Sequence, residues 1–201
     1  MPAKASAPAL SPATGKRMLA YSSIAHAGFI LVAFAGLTEE AVAALPFYLL
    51  AYGLATMGAF AIVSQVRERT EDGSVGAEAV RLGQWAGLGR RSPLLASSMA
   101  LFLLSFAGIP LTAGFIGKFE VFSAAVAGGG WPLVLIAVIA SAIAAFFYVR
   151  LVVLMFLTEV PEDQEDAIEV ESSPLTMTVV LVTAVTVLVL GILPAGAPEL
   201  Y

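Results

Sequence analysis

Residues 103–122 read LLSFAGIPLTAGFIGKFEVF, a strongly apolar stretch that also contains a Gly-Ile-Pro sequence, a lysine and a glutamate. It lies inside an apolar run that covers residues 94–127. One continuous helix over that run would be roughly 50 Å long, whereas the hydrocarbon core of a bilayer is about 30 Å thick. The run is therefore too long for one straight membrane-spanning helix.

Gly108 and Pro110 fall near the middle of this run and predict a break there. Proline has no N–H to donate, and it disfavours the helical conformation of the residue before it. We predict two half-helices, residues 94–107 and 115–127, joined by an unwound hinge that includes Gly114. Unwound backbone at membrane depth is tolerated only where it lines a cavity or is packed in protein, and it recurs at the ion sites of transporters.

The composition is that of a membrane protein. Of the 201 residues, 59% are hydrophobic and 12% are charged, and the mean hydropathy is +0.92. Soluble domains are about 45–50% apolar and about 25% charged, and the alternating pattern of porin strands is absent. The chain has no cysteine and one histidine, which excludes disulfides and thiolate or iron–sulfur sites built by this chain and argues against a metal centre.

Five apolar segments are long enough to cross a bilayer, for which about 20 residues are needed. The second would begin with Pro46 in its first turn, where a missing N–H costs nothing. The predicted fold is an all-α polytopic membrane protein with five transmembrane helices, the third broken near Gly108, Pro110 and Gly114. The predicted spans are residues 18–37, 45–66, 94–127, 131–157 and 174–193, with a polar tail at residues 1–15 and loops at residues 67–92 and 158–172.

Basic residues are concentrated before the first span and between the second and third, so eight of the ten lysines and arginines share one side of the membrane. The positive-inside rule assigns that side to the cytoplasm. The loops 67–92 and 158–172 are then cytoplasmic, and the carboxyl terminus lies outside. Within the first loop, residues 75–88 could lie in the membrane interface with Trp85 as an anchor, or they could form an ordinary connection.

Lys118 stands four residues into the second half-helix. A lysine at this depth costs about 3 kcal/mol or more, and such residues usually face a cavity or a partner. We therefore predict that Lys118 carries protons in a relay, the alternative being a lysine that snorkels to the interface. Glu120 is two residues further and points to another face of the helix, so we expect it to pair with another span or subunit, or to lie near the outer interface.

His26 lies near the middle of the first span, and imidazole gains and loses protons near neutral pH. Ser22 and Ser23 precede it by four and three residues and therefore share its helix face. His26, supported by these serines, could extend the relay on the cytoplasmic side. The alternative is a neutral buried histidine that bonds to a serine or to the backbone.

Arg150 lies seven residues before the end of the fourth span. Its side chain can snorkel to the cytoplasmic face, and the alternative is a supporting role in the relay or at a subunit contact. We expect Tyr21, Tyr48 and Tyr52 to be packing or interface residues rather than relay members.

Two long motifs are KRMLAYSSIAHAGFILVAFAG (16–36) and LLSFAGIPLTAGFIGKFEVF (103–122). They resemble the antiporter-like subunit N family of the proton-pumping NADH–quinone oxidoreductase, respiratory complex I. Two further stretches, LAYGLATMGAFAIVS and SAIAAFFYVRLVVLMF, are similar to helices that flank the second motif in that family. The resemblance extends from residue 16 to the carboxyl end, and residues 1–15 do not share it.

The resemblance implies a fourteen-helix subunit of two inverted five-helix repeats, each with a broken helix that bears an essential lysine or its equivalent. On that map the predicted spans resemble the last five helices. Lys118 matches the lysine of the second broken helix, which the family links to the outward proton path, and Gly108, Pro110 and Gly114 match the hinge. Counterparts of the first nine helices are missing, so we expect a carboxyl-terminal portion, from a split or disrupted reading frame or a mis-set start.

The resemblance thus predicts a membrane-arm subunit, or part of one, of a bacterial NADH–quinone oxidoreductase in the cell membrane. It would contribute to proton translocation coupled to electron transfer and would not be catalytic alone. This chain would hold no cofactor, and NADH, FMN, iron–sulfur clusters and quinone are expected in partner subunits. The expected partners are other membrane subunits, the lipid bilayer and a chain that carries the missing helices, with no nucleic acid.

Two alternative functions follow from the same residues. The first is a subunit of an Mrp-type cation/proton antiporter or of a membrane-bound hydrogenase, which the neighbouring genes would distinguish. The second is a non-transporting membrane fragment, because the chain lacks the other repeat of the family.

Overall fold

The computed structural model describes residues 15–36, 38–69, 74–79, 82–158, 168–171 and 173–193. The predicted tail at residues 1–15 lies outside this part of the chain except for its last residue, and so do parts of both predicted loops. Within the described residues the elements are α1 (Gly15–Ala35), α2 (Glu39–Gln65), β1 (Val66–Arg69), β2 (Val75–Glu78), a 3-10 turn (Leu82–Trp85), α3 (Leu88–Arg91), α4 (Pro93–Ala107), α5 (Ala113–Ala127), α6 (Trp131–Leu157), β3 (Ile168–Val170) and α7 (Pro174–Ile192).

Among the described helices, α1, α2, α6 and α7 are long and apolar enough to cross a membrane. The most apolar windows of these four helices have mean hydropathies between 1.7 and 2.5. Helix α4 is also apolar but has only 15 residues. The protein is therefore predominantly helical and polytopic, as the composition predicts.

Helix α2 begins earlier than predicted. The sequence placed its start at residue 45, with Pro46 in the first turn, whereas the helix begins at Glu39 and Pro46 lies inside it. Thr38 caps the helix, because its Oγ1 accepts a hydrogen bond from the N–H of Ala41 at 3.1 Å. Glu39 and Glu40 add negative charge at the positive end of the helix dipole. Residues 39–44, which the predicted spans leave between two helices, therefore belong to α2.

A short antiparallel sheet, which the sequence did not predict, joins the two polar loops. Strand β1 follows α2 directly and pairs with β2 on one side and with β3 on the other. Two ion pairs reinforce the β1–β3 side: Arg67 with Glu171 at 3.3 Å and Arg69 with Glu169 at 4.0 Å. The connection after α2 and the connection before α7 therefore form one structure.

Trp85 belongs to the protein core, so the prediction of an interfacial anchor is wrong. Its side chain is 0% exposed, and its Nε1 donates to the carbonyl of Ala79 at 3.2 Å. The described residues 75–79 and 82–88 contain a strand, a 3-10 turn and the first residue of α3. Burial of the indole with a satisfied N–H explains why a tryptophan stands in this polar loop.

The buried apolar residues form two clusters. The larger joins α2 with α4, α6 and α7 and includes Ile62, Phe102 and Phe106. The smaller joins α1, α2 and α5 and includes Phe29 and Val121. A polar site, described next, lies where these clusters meet.

Candidate functional site

Helix α4 ends at a glycine that turns the chain out of the helix. Gly108 has a φ of +79°, a left-handed conformation that glycine adopts without strain. Its N–H and the next one bond back to the carbonyls of Ser105 and Leu104, each at 3.0 Å, which is the Schellman pattern. The carbonyl of Phe106 is left without a helical partner. Pro110 stands where a continued helix would have supplied one, and it has no N–H.

Helix α5 begins against the end of α4. The N–H of Gly114 donates to Ser105 Oγ at 3.1 Å, and a Cβ at Gly114 would overlap the backbone carbonyl of Ser105. Between the helices, Leu111 has a φ of +73°, which costs a residue other than glycine about 1–2 kcal/mol. The three residues predicted to form a hinge, Gly108, Pro110 and Gly114, lie in or directly beside this connection.

The side chain of Lys118 returns from α5 to the end of α4. It is 6% exposed, and its Nζ donates to the carbonyl of Phe106 at 2.6 Å and to Oγ of Ser141 on α6 at 2.7 Å. The same nitrogen lies 5.0 Å from the centre of the Phe29 ring on α1, within the range of a cation–π contact. Lys118 is therefore enclosed by three other helices and does not snorkel to an exposed end of its own helix.

His26 lies on α1 among aromatic side chains and is 3% exposed. Its Nδ1 is 2.7 Å from the hydroxyl of Tyr48, and the tautomer decides which of the two donates. The ring of Tyr52 stacks on the imidazole at 4.0 Å, and the ring of Phe106 meets its edge at 5.7 Å. Phe106 thus contacts both groups, the imidazole through its ring and the Lys118 amine through its carbonyl. Within the described part of the chain, His26 Nε2 is buried and makes no hydrogen bond of good geometry, although the Phe106 backbone interacts with the imidazole.

Ser22 and Ser23 bond to tyrosines rather than to the histidine. Ser22 Oγ accepts from the hydroxyl of Tyr148 on α6 at 2.6 Å, and Ser23 Oγ accepts from the hydroxyl of Tyr52 at 3.0 Å. The imidazole thus bonds to the hydroxyl of Tyr48 and to neither serine. The result is a set of hydroxyl pairs between α1, α2 and α6.

Glu120 and Arg150 stand apart from this cluster. Glu120 is partly buried on α5, and no ion pair joins it to Lys118 among the described residues. Arg150 is exposed on α6. The structure therefore brings Lys118 and His26 together and leaves the other two predicted side chains outside.

A groove of about 750 Å³ opens beside Lys118, between α5 and α6. Its walls are mainly apolar and carry the amine together with two serine hydroxyls. The lining includes Phe115, Lys118, Phe119, Ser123, Val138 and Ser141.

Four members of the cluster were not predicted from the sequence, although their spacing carried a signal. Ser141 and Tyr148 are seven residues apart in α6, which is two turns, so they share a helix face. Tyr48 and Tyr52 are four residues apart in α2 and also share a face. Tyr48, which we expected to be a packing or interface residue, bonds to His26 through its hydroxyl.

The model of one protein family, described as NADH:quinone oxidoreductase/Mrp antiporter, TM, matches residues 5–144. That range is more than half of the chain. This protein is a member of that family. The match begins within residues 1–15, for which we expected no resemblance.

Several curated members of the family named NADH-quinone oxidoreductase subunit N are similar to this chain. The one from Rhodococcus opacus is 55% identical over 185 residues, which cover 92% of this chain and 33% of the relative. The one from Thermobifida fusca is 54% identical over 184 residues, with coverages of 92% and 32%. The one from Beutenbergia cavernae is 64% identical over 126 residues, with coverages of 63% and 24%. This family member thus spans about a third of the length of the curated relatives it matches.

Two solved structures share the fold of this family member. In respiratory complex I from Thermus thermophilus with bound aureothin, the matching chain is 35% identical, with a TM-score of 0.76 over 94% of this chain and 40% of that chain. In the same organism's complex I with bound NADH, the matching chain is 25% identical, with a TM-score of 0.67. That match covers 92% of this chain and 39% of the other. The resemblance inferred from the two motifs is therefore confirmed.

Proposed function

We propose that this chain is the carboxyl-terminal part of subunit N of a bacterial proton-pumping NADH–quinone oxidoreductase, and that it contributes to proton translocation coupled to electron transfer. The relatives named subunit N support this assignment, as does the likeness to part of a complex I chain. NADH, FMN, iron–sulfur clusters and quinone belong to partner subunits in this proposal. The chain acts only with other membrane subunits, in the bilayer, and with a chain that supplies the missing helices.

The proposed membrane topology has five spans, with α4 and α5 together as a broken third span. Each of these helices has 15 residues, or roughly 22 Å, which is too short to cross a bilayer alone. The sheet supports the orientation, because β1 follows α2 and β3 precedes α7, so both loops lie on the same side of the membrane. The five arginines of the loop 67–92 support a cytoplasmic location for both loops, with the carboxyl terminus outside.

Lys118 is the central proton carrier in this proposal, and its buried amine at the helix break is the observation that carries it. An amine at this position can be loaded and emptied as charges change in neighbouring subunits. His26 would exchange protons with it, supported through the tyrosines by Ser22 and Ser23. Glu120 and Arg150 would influence the relay from outside the cluster.

Two substitutions in the assembled complex test this role. Lys118→Ala removes the amine. Lys118→Arg keeps the positive charge, but in a guanidinium group that does not lose its proton in proteins. We expect the rate of NADH-driven proton uptake into inverted membrane vesicles to fall at least about tenfold in both variants. A positioned acid–base group contributes roughly 100-fold or more to the rate of the step that it catalyses. A pH-sensitive dye reports the uptake, and quantification of the assembled complex controls for folding. Native proton uptake by either variant would contradict the carrier role.

The family description also includes Mrp antiporters, so a cation/proton antiporter subunit is the second candidate. The same vesicles separate the two classes. Proton uptake that needs NADH oxidation supports the first, and proton movement driven by a sodium gradient without NADH supports the second.

A further inference from the structure

The three contacts of the Lys118 amine differ in what they can do when the amine loses its proton. A protonated amine has three N–H donors, and these face the Phe106 carbonyl, the Ser141 hydroxyl and the Phe29 ring. A carbonyl only accepts hydrogen bonds, and a ring face attracts only the cation. A hydroxyl both accepts and donates. The Phe106 carbonyl can accept an N–H of the amine in either state, but Ser141 is the one contact among these three that can also donate a hydrogen bond to the lone pair of the neutral amine.

We propose that Ser141 is a positioning residue that holds Lys118 through its protonation cycle, a role that rests on the proposed function of Lys118. When the amine is protonated, Ser141 Oγ accepts one of its N–H bonds. When the amine is neutral, the hydroxyl rotates and donates its O–H to the nitrogen lone pair. No covalent bond of the serine forms or breaks, and Nζ stays beside the end of α4 in both states.

The position of Ser141 also sets the direction in which the amine points. Ser141 lies on α6 and lines the groove between α5 and α6, whereas Phe106 belongs to the buried core. A neutral amine without Ser141 would keep only its contact to the Phe106 carbonyl and could turn away from the groove. The serine thus keeps the amine between the buried break and the groove during each cycle.

The test uses an isosteric pair in the assembled complex. Ser141→Thr keeps the hydroxyl and adds a methyl group. Ser141→Val has a second methyl group where threonine has the hydroxyl, so the threonine and valine variants have the same shape. Ser123→Ala is a matched control, because Ser123 lines the same groove on α5 but is exposed. We expect Ser141→Thr and Ser123→Ala to pump within about twofold of the native complex, and Ser141→Val to pump roughly tenfold less, as expected from a lost hydrogen bond to a charged group.

The comparison with Lys118→Ala separates this inference from the proposed function. If Lys118→Ala abolishes pumping but Ser141→Val pumps as well as Ser141→Thr, the role of Ser141 is wrong and that of Lys118 stands. If Lys118→Ala itself pumps normally, the proposed function fails and the role of Ser141 fails with it. Equal loss in Ser141→Thr and Ser141→Val would also overturn the inference, since the hydroxyl would then not matter.

Discussion

The polar side chains of the site are paired across helices rather than along them. The hydroxyls of Tyr48 and Tyr52 on α2 reach His26 and Ser23 on α1. A polar group without a partner is costly in the apolar interior of a membrane, so each pair fixes two helices relative to one another. The same bonds that satisfy these groups therefore also hold the surroundings of Lys118.

Tyr48→Phe tests the pairing with the histidine. The substitution keeps the ring but leaves His26 Nδ1 buried without its bond, so we expect a loss of about 1–2 kcal/mol in the free energy of unfolding. Tyr21→Phe is the control, since Tyr21 is 65% exposed and its hydroxyl should matter little. Unfolding of the chain in detergent micelles, followed by circular dichroism during denaturant titration, gives both values. Equal stabilities of the two variants would refute the importance of the bond.

At the level of single residues, the sequence predicted the costly charge and missed its partners. Lys118 and His26 stand out because an ionisable group in an apolar run needs an explanation. Ser141 does not, because a serine is tolerated in a membrane helix for many reasons. Its contact with Lys118 depends on how α5 and α6 pack, and no local pattern in either helix specifies that.

The break between α4 and α5 depends on backbone geometry that only certain residues permit. Gly108 provides the left-handed turn, and Gly114 allows the two helix ends to meet. The turn also brings backbone close to the side chain of Lys118, because a Cβ on Gly108 would lie 3.0 Å from Cδ of that lysine. The break therefore shapes the space available to the amine as well as supplying its carbonyl acceptor.

Gly108→Ala and Gly129→Ala separate these two effects. Both glycines have positive φ, +79° and +85°, so each alanine should cost about 1–2 kcal/mol of stability. A Cβ on Gly129 meets nothing within 4 Å, whereas one on Gly108 meets Lys118. We expect similar losses of thermal stability but a severalfold loss of proton pumping in Gly108→Ala alone. Equal pumping by the two variants, measured in vesicles with the assembled complex, would show that the contact with Lys118 has no effect.

Elements of different length were predictable to different degrees. Helix α6 covers Trp131–Leu157, the range expected from its apolar run, because only a helix satisfies a long backbone in lipid. The sheet could not be predicted, since its strands have three or four residues and β1, VRER, lacks an apolar alternation. Strand β1 also pairs with β3 about a hundred residues away, and this register depends on the helices between them.

At the scale of the whole molecule, much of the apolar surface lacks a partner within the chain. Only 17% of the most apolar 18-residue stretch of α6 is buried inside the chain. Side chains such as Ile136, Ile143 and Phe146 are more than half exposed. In a membrane, such surface contacts lipid or other membrane helices. In the proposed function, the helices that cover this surface belong to partner subunits and to the part of subunit N that this chain does not span.

The purified chain alone should not conduct protons, because the relay around Lys118 forms only one part of a longer path in the proposed function. We expect liposomes that contain the chain to hold an imposed pH gradient as well as protein-free liposomes do. An internal pH-sensitive dye follows the gradient, and a protonophore added at the end confirms that it can be dissipated. A Lys118→Ala chain in matched liposomes gives the background leak. Faster decay with the native chain than with this variant would show that these helices form a complete proton path, contrary to the assignment as a partial one.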